Sequence, residues 1–511
     1  MSNLRIVFRT DANQIIGTGH FMRCLTLADE LQHHDVEIGF VARELPQHFQ
    51  EMLSTHGMTY FALPNTDEMQ ALDELPHAQW LQTSQSHDAQ QTLTALGVGQ
   101  WDWLVVDHYA LDHRFETSLR ALAKRIMVID DLADRVHDCD VLLDQNFYQD
   151  QEQRYIGKVP SHARLLLGPR FALLRPEFKK MHQQMRPRSG KVRNTLVSFG
   201  GVDALNLTTK TLEVLIDLKL GAEVNVVIGQ QNPHKSEIHQ ICVKHHFNCH
   251  IQTNQMTALM AQADLAIGAG GTTIWEKCCM GLPSICIPVA DNQYQQLDDL
   301  RKNGLVFSQT SDMDSVEFLR STLCSLISHP ELLNKQSQLG FALVDGEGVE
   351  KVATVIKRNR LSMRLAESRD ISNIFQWRNH YLVRNNSTNS REISWEDHCQ
   401  WFEKRLSKNG DPILIGEVND KPVGVVRFDI ARNDAEVSIY LVPESGFKGW
   451  GSYLLEEAEN WLRHNHPEVA TLHAQVLPHN RPSQKLFARL NYNLCAKGEQ
   501  FEFQKTMEVC V

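Results

Sequence analysis

Short apolar, β-branched runs alternate with amphipathic stretches through roughly the first 345 residues, and that alternation constrains the chain more than any other feature. LRIVFRT, VEIGFVA, WLVVDHY, RIMVIDD, NTLVSFGG, EVNVVIG and LAIGAG read as strands. Apolar runs without polar alternation are covered on both faces, which predicts parallel sheets flanked by helices. After His20, the residues Phe21, Cys24, Leu25, Ala28 and Leu31 share one helical face. The run PEFKKMHQQMRPRSGKVRN turns polar and basic before a fresh strand begins. The pattern therefore predicts an α/β fold with two doubly wound, Rossmann-like halves, 1–175 and 190–345.

The pattern changes after that. Residues 346–361 read as a linker, and 362–511 have another character. WRNH and SWEDHCQWF read as helices, and ILIGEVNDKPVGVVRFDI as two strands about an Asn-Asp turn. AEVSIYLVP is a strand, followed by a glycine loop and a helix with Leu454, Leu455, Ala458, Trp461 and Leu462 on one face. This predicts an α+β domain with antiparallel pairing. A chain of 511 residues exceeds what one core usually serves, so several domains are expected.

Composition narrows the partners. A net charge of −11 with no basic tract argues against nucleic acid or an anionic membrane. No run approaches the ~18 apolar residues of a membrane span, and MSNLRIVFRTDA reads as a first strand rather than a signal peptide. Eleven cysteines, odd in number and irregularly spaced, point to a reducing cytoplasm rather than a disulfide framework. The tract from His245 to His250 carries metal-ligand residue types but reads as an exposed turn between helix and strand, and no metal is expected.

Two glycine loops in the first 345 residues carry chemistry. Ile16-Gly17-Thr18-Gly19-His20-Phe21-Met22-Arg23 follows the first strand and opens a helix. Gly17 and Gly19 let backbone approach a ligand, and free amides at a helix start favour an anion. A full dinucleotide fingerprint is lacking. A histidine at a helix start tends to stay neutral and can take a proton, which makes His20 a candidate base. Asp11 is a candidate to orient His20 or bind substrate, with Arg23 beside them. The second loop, Gly268-Ala269-Gly270-Gly271-Thr272-Thr273-Ile274-Trp275-Glu276, is followed by Gly281-Leu282-Pro283 and Asp291-Asn292-Gln293. Amides of Gly270 and Gly271 with the hydroxyls of Thr272 and Thr273 suit a pyrophosphate, and Glu276 can accept from ribose hydroxyls.

These motifs resemble the glycosyltransferase-B superfamily, and within it the UDP-sugar hydrolases of the pseudaminic-acid pathway. The likeness spans residues 4 to about 345 through RTDA, IGTGHFMRC, VVDHY, LLDQN, LLGPRFALLRPEF, SFGGVDALN and GAGGTTIWE, in that order. The resemblance implies metal-independent, inverting hydrolysis of UDP-2,4-diacetamido-2,4,6-trideoxy-β-L-altropyranose, with His20 as general base. It also makes Tyr109, Asn292 and Gln293 candidate sugar contacts and places Gly200 and Gly201 near the cleft floor.

Gly446-Phe447-Lys448-Gly449-Trp450-Gly451 resembles the acyl-CoA loop of the GCN5-related N-acetyltransferases, the GNAT family, with Gly446 where a basic or amide residue is usual. Lys448, Gly449, Trp450, Gly451 and Ser452 would then cradle the pyrophosphate, and Leu441 and Val442 would supply backbone donors. Asn480-Arg481-Pro482-Ser483 resembles the same family's second segment, with Asn480 and Ser483 toward the CoA arm. Phe487 stands where many members carry a tyrosine acid, which leaves Tyr492 as a candidate acid and Glu436 as a candidate base. Acetyl-CoA is the implied co-substrate and a UDP-amino-sugar the implied acceptor. The two modules together predict an enzyme of two consecutive steps. A glycosyltransferase with a sugar or lipid acceptor and a non-catalytic nucleotide-sugar binder remain the alternatives.

Overall fold

A computed structural model of the chain describes residues 4–32, 36–64, 73–97, 99–290, 293–309, 314–358, 361–406, 411–418, 421–445 and 450–507. Contacts divide it into two units, 1–354 and 355–511.

Unit one holds two parallel sheets. The first contains β1 (Leu4–Arg9), β2 (Val36–Ala42), β3 (Thr59–Ala62), β4 (Trp101–Val106), β5 (Ala123–Ile129), β6 (Val141–Asp144) and β7 (Arg164–Leu167), in the order β3-β2-β1-β4-β5-β6-β7. Strands such as β4 and β5 are apolar and buried on both faces, which is why continuous hydrophobic runs marked them. The second contains β8 (Asn194–Ser198), β9 (Glu223–Ile228), β10 (Asn248–Ile251), β11 (Leu265–Ala269), β12 (Ser284–Ile287) and β13 (Phe307–Ser308), in the order β10-β9-β8-β11-β12-β13. Both orders reverse direction once, between β1 and β4 and between β8 and β11. Loops leaving the carboxyl ends of strands at such a reversal part to form a crevice. The loops after β1, β4, β8 and β11 carry His20, Tyr109, Gly200 and Gly270, so topology gathers the sequence motifs at two crevices.

The stretch 176–189, left between the halves 1–175 and 190–345, packs with the second half. In the helix Pro176–Gln184, Phe178 is fully buried in a cluster with Leu196, Trp275 and Leu282. The Arg188 guanidinium donates to the carbonyls of Met260, Ala263 and Met280. The polar run that suggested a boundary is therefore an amphipathic helix and an arginine that caps a helix end. Residues 346–361, read as a linker, contain the helix Gly348–Arg358. Gly348 lies so close to the Phe171–Ala172 backbone that a Cβ there would meet the Ala172 carbonyl oxygen at 2.3 Å. The His245–His250 tract is the turn expected, ending the helix Lys235–His245 with His246 left-handed and leading into β10.

Unit two holds one mixed sheet: β14 (Leu361–Leu365), β15 (Ile413–Val418), β16 (Lys421–Ala431), β17 (Asp434–Leu441), β18 (Thr471–Val476), β19 (Asn493–Lys497) and β20 (Phe501–Thr506), ordered β14-β15-β16-β17-β18-β20-β19. Pairing is antiparallel except between β17 and β18. The helix Gly451–Asn465 covers one face through Leu454, Leu455, Ala458 and Leu462. Gly416 and Gly424 admit it, since a Cβ at either would meet Leu454 at 2.3 or 2.4 Å.

Candidate functional site

The first loop is shaped by its own side chains. Asn13 Oδ1 accepts from the amides of Ile15 and Ile16, and the Gly17 amide donates back to the Asn13 carbonyl. Gly17 has φ +80°, a conformation that favours glycine, whereas a Cβ at Gly19 would meet nothing within 4 Å. The helix Gly19–Leu31 then starts, with His20 at its second residue and 8% exposed.

His20 Nδ1 lies 2.6 Å from Asp107 Oδ1, at the end of β4. Arg23, one helical turn on, grips the same carboxylate through Nε at 2.6 Å and Nη2 at 2.7 Å and reaches Asp131 at 3.2 Å. Burial opposes ionisation of Asp107, but Arg23 and then His20 outweigh it and hold the carboxyl well below the usual range. An ionised carboxylate only accepts, so Nδ1 carries a proton, and in the neutral form of the ring the lone pair is on Nε2. Arg23 Nη2 also lies 3.2 Å from Nδ1, but two donors cannot bond, and the shorter carboxylate contact decides the tautomer.

Asp11 does not orient His20. Its Oδ1 accepts from Arg9 at 2.8 Å and from the Arg43 amide at 2.7 Å, and its Oδ2 faces His108 Nε2 at 3.2 Å. At 1% exposure it is part of a buried ion network with Arg9, Arg43 and Asp88, closed to a sugar. Tyr109 is beside His20, but its hydroxyl is engaged by Asp131 Oδ1. Its ring offers a surface instead: it meets His20 edge-on at 4.6 Å and stacks with Trp80 at 5.4 Å, with His77 packed on both. Asp107, Asp131, Trp80 and His77 were missed in the sequence. Asp107 sits inside the VVDHY motif and was the legible signal, since a carboxylate at the end of a strand beside the reversal faces the crevice.

The facing half contributes the second loop. Gly270 is required, because a Cβ would meet Leu297 Cδ1 at 2.6 Å, while Gly271 is open. Thr272 and Thr273 are exposed where the helix Thr273–Cys279 starts. Trp275 is fully buried and donates Nε1–H to Asn146 Oδ1 at 3.0 Å, and Asn146 Nδ2 reaches Asp131 at 3.3 Å. A continuous polar chain thus joins the two halves from Trp275 through Asn146, Asp131, Arg23 and Asp107 to His20. A cavity of about 230 Å³ lies between them, bringing Gly19, Arg23 and Gln145 together with Arg175, Thr272, Trp275 and Glu276. Burial pushes the Glu276 carboxyl up to about 7, with Arg175 opposing. Gly200, at φ +87°, and Gly201 lie after β8 at the same sheet edge. Gln293 caps backward, accepting from the Val289 amide at 3.0 Å, and Asn292 lies outside the described residues.

In unit two, β17 and β18 pair only from Asp434 to Glu436 against Thr471 to His473, and beyond that they have no paired register. The Val442 amide donates to the Val423 carbonyl, toward β16. Alternation along the strand then turns the Leu441 amide toward the gap, so of the two expected donors Leu441 faces it and Val442 does not. Trp450, Gly451 and Ser452 begin the helix beside the loop, whereas Lys448 and Gly449 lie outside the described residues. Asn480 caps the helix Arg481–Arg489 by accepting from the Ser483 amide at 3.1 Å.

Tyr492 is not placed to act as an acid. It is 3% exposed, packed on Phe487 at 5.0 Å, and donates to Glu459 at 2.8 Å, which also takes Lys505 at 2.6 Å. Burial pushes its phenol far above the ordinary range. Glu436 is exposed on β17 opposite Asp429. The sheet face that carries Tyr440 also gathers Arg378, Arg405 and Arg427, of which Arg405 pairs with Asp411 and Asp429 and Arg427 with Asp429 at 3.0 Å. That charged cluster was missed in the sequence, because its members come from separate elements.

Two family models match. Residues 372–492 match the Acetyltransferase (GNAT) family, and residues 195–339 match the Glycosyltransferase family 28 C-terminal domain. The chain is 22% identical to the Methanocaldococcus jannaschii protein MJ1062, over 98% of this chain and 99% of that one. It is 23% identical to the UDP-2,4-diacetamido-2,4,6-trideoxy-beta-L-altropyranose hydrolase of Campylobacter jejuni, over 59% of this chain and 97% of the hydrolase. It is 31% identical to the Bacillus subtilis acetyltransferase YwnH, over 25% of this chain and 82% of YwnH.

Proposed function

On the premise that residues 372–492 belong to the GNAT acetyltransferase family, we propose that the chain catalyses two consecutive steps on one nucleotide sugar. The C-terminal unit moves acetyl from acetyl-CoA to the amino group of a UDP-4-amino-4,6-dideoxy-sugar. The N-terminal unit then hydrolyses the product, UDP-2,4-diacetamido-2,4,6-trideoxy-β-L-altropyranose, as the similar Campylobacter jejuni hydrolase is named for. The observation that carries this reading is the His20–Asp107 pair, whose neighbours Gly19 and Arg23 line a cleft with Glu276 of the facing half.

In the hydrolytic step, water attacks the anomeric carbon while His20 Nε2 takes its proton. The bond from that carbon to the β-phosphate oxygen breaks, the electron pair leaves with UDP, and the configuration inverts. Asp107 stabilises the imidazolium that forms, and Arg23 keeps Asp107 ionised. Trp80 and Tyr109 offer an apolar wall to a deoxysugar. In the acetyl step, the neutral amine attacks the thioester carbonyl, the carbon–sulfur bond breaks, and the proton released from the nitrogen is taken up by the departing thiolate, giving the amide and CoA thiol. The Leu441 amide, which faces the gap between β17 and β18, is the donor offered to the carbonyl oxygen in this reading.

Incubating the whole chain with acetyl-CoA and the amino-sugar nucleotide tests both halves. Stoichiometric release of CoA followed by UDP is the expected result. CoA release without UDP refutes the hydrolase. UDP release that saturates with an added sugar or lipid acceptor would identify a glycosyltransferase, the reading that the family 28 match favours.

A further inference from the structure

Lys277, on the second glycine loop's helix, carries chemistry that the reaction above does not use. It follows Glu276 on the helix Thr273–Cys279 and is 4% exposed. Its ammonium is buried and has no hydrogen-bond partner among the described residues. Side chains on a helix lean toward its start, and Lys277 reaches back past that start to the end of β11. There Nζ lies 3.5 Å from where a Gly268 Cβ would be, beside the Ser198 carbonyl that ends β8. The amine thus sits at the β8/β11 reversal, where both glycine loops of this half begin.

A buried ammonium with no counter-ion is destabilising, and burial is tolerated when an anion completes the site. A Cβ at Gly268 would meet the Ser198 carbonyl oxygen at 2.1 Å and touch Nζ at 3.5 Å, so glycine there is what lets the amine approach the end of β11. Glu276, the neighbouring carboxylate, feels Lys277 electrostatically but forms no ion pair with it among the described residues. We propose that the Lys277 ammonium is the fixed countercharge for the diphosphate of a nucleotide held over the 268–272 loop. This rests on the reading of that loop as a nucleotide site and deepens it by naming the source of positive charge. When the anomeric C–O bond breaks, the electron pair goes to the β-phosphate oxygen, and the added negative charge develops within the field of Lys277.

The test compares uridine, UMP and UDP binding by calorimetry to the whole chain and its Lys277→Met variant, which keeps length and removes charge. The expected result is a loss of about tenfold or more in UDP affinity, a smaller loss for UMP, and uridine affinity held within about twofold. Turnover for UDP release should fall in parallel. Equal losses for uridine and UDP would show that Lys277 only supports the fold, and an unchanged UDP-to-uridine ratio would show that its charge does not reach the phosphates; either overturns the proposal. Should Lys277→Met fail to fold, Lys277→Gln carries the same comparison with a polar tip. A wild-type chain that binds UDP no more tightly than uridine would instead overturn the nucleotide reading itself, and the proposal with it.

Discussion

Replacing Asp107 with asparagine removes one charge and no volume, and its consequences can be worked from three contacts. Asp107 accepts from His20 at 2.6 Å and from Arg23 at 2.6 and 2.7 Å. Arg23 would retain Asp131 at 3.2 Å and, through Nε, the new carbonyl oxygen, but its Nη2 shares Oδ1 with His20 and would face the new N–H₂, so folding should lose about 1–3 kcal/mol, as for one buried donor left without its acceptor. The effect on chemistry is larger. With its oxygen held by Arg23, the new amide turns its N–H₂ toward His20 Nδ1, which must then accept. The ring proton moves to Nε2, the nitrogen that should take the proton from water. Loss of a positioned base typically costs about 10²–10⁴ in rate, or about 3–5 kcal/mol of barrier. UDP release by Asp107→Asn should fall by that factor, while CoA release from the same chain reports that the protein is intact. His20→Asn should abolish UDP release, and the double variant should lose no more than the worse single one, because the pair acts as a unit. A rate for Asp107→Asn within about threefold of wild type, or losses that multiply in the double variant, would refute the tautomer argument.

Other outcomes follow from the same geometry. Burial pushes the Glu276 carboxyl up to about 7, and its ionised form accepts more strongly from ribose hydroxyls than the protonated one. UDP affinity should therefore rise with pH up to about 7 and level off above it, because below that pH a proton must leave on binding; Glu276→Gln should flatten the profile, and a flat wild-type profile would count against the contact. Trp275→Phe keeps an aromatic ring but removes part of the buried indole's volume and leaves Asn146 Oδ1 without its donor. Urea unfolding should show unit one destabilised by about 1–3 kcal/mol, and no change would mean the bond between the halves contributes nothing. Tyr492→Phe should leave the turnover of CoA release within about twofold, since its hydroxyl faces Glu459. A large drop in turnover with unchanged thermal stability would restore Tyr492 as the acid.

Much of the architecture was legible because local composition encodes it. Doubly apolar strands signal parallel sheets, and the change at residue 346 signals a second kind of fold. His20 was legible because a histidine placed among glycines at a helix start is an unusual local arrangement. Asp11 misled for the same reason: it lies nine residues from His20 and in the same motif, so adjacency in the chain stood in for adjacency in space. The carboxylate that does touch His20 is 87 positions away, brought there because β1 and β4 are neighbours in the sheet. Tyr492 misled likewise. Its place in the motif suggested a role, but packing of the helix Gly451–Asn465 turns its hydroxyl onto Glu459.

Sequence alone determined the elements, the two kinds of sheet, the glycine turns and the residue types available for chemistry. These depend on backbone preferences and hydrophobic periodicity, which act over a few residues. Tertiary structure alone decided which carboxylate holds which cation, the tautomer of His20, the bond from Trp275 to Asn146, and the burial of Lys277. Each of these depends on charges meeting across strands or helices remote in the chain, and on the desolvation that makes such meetings strong.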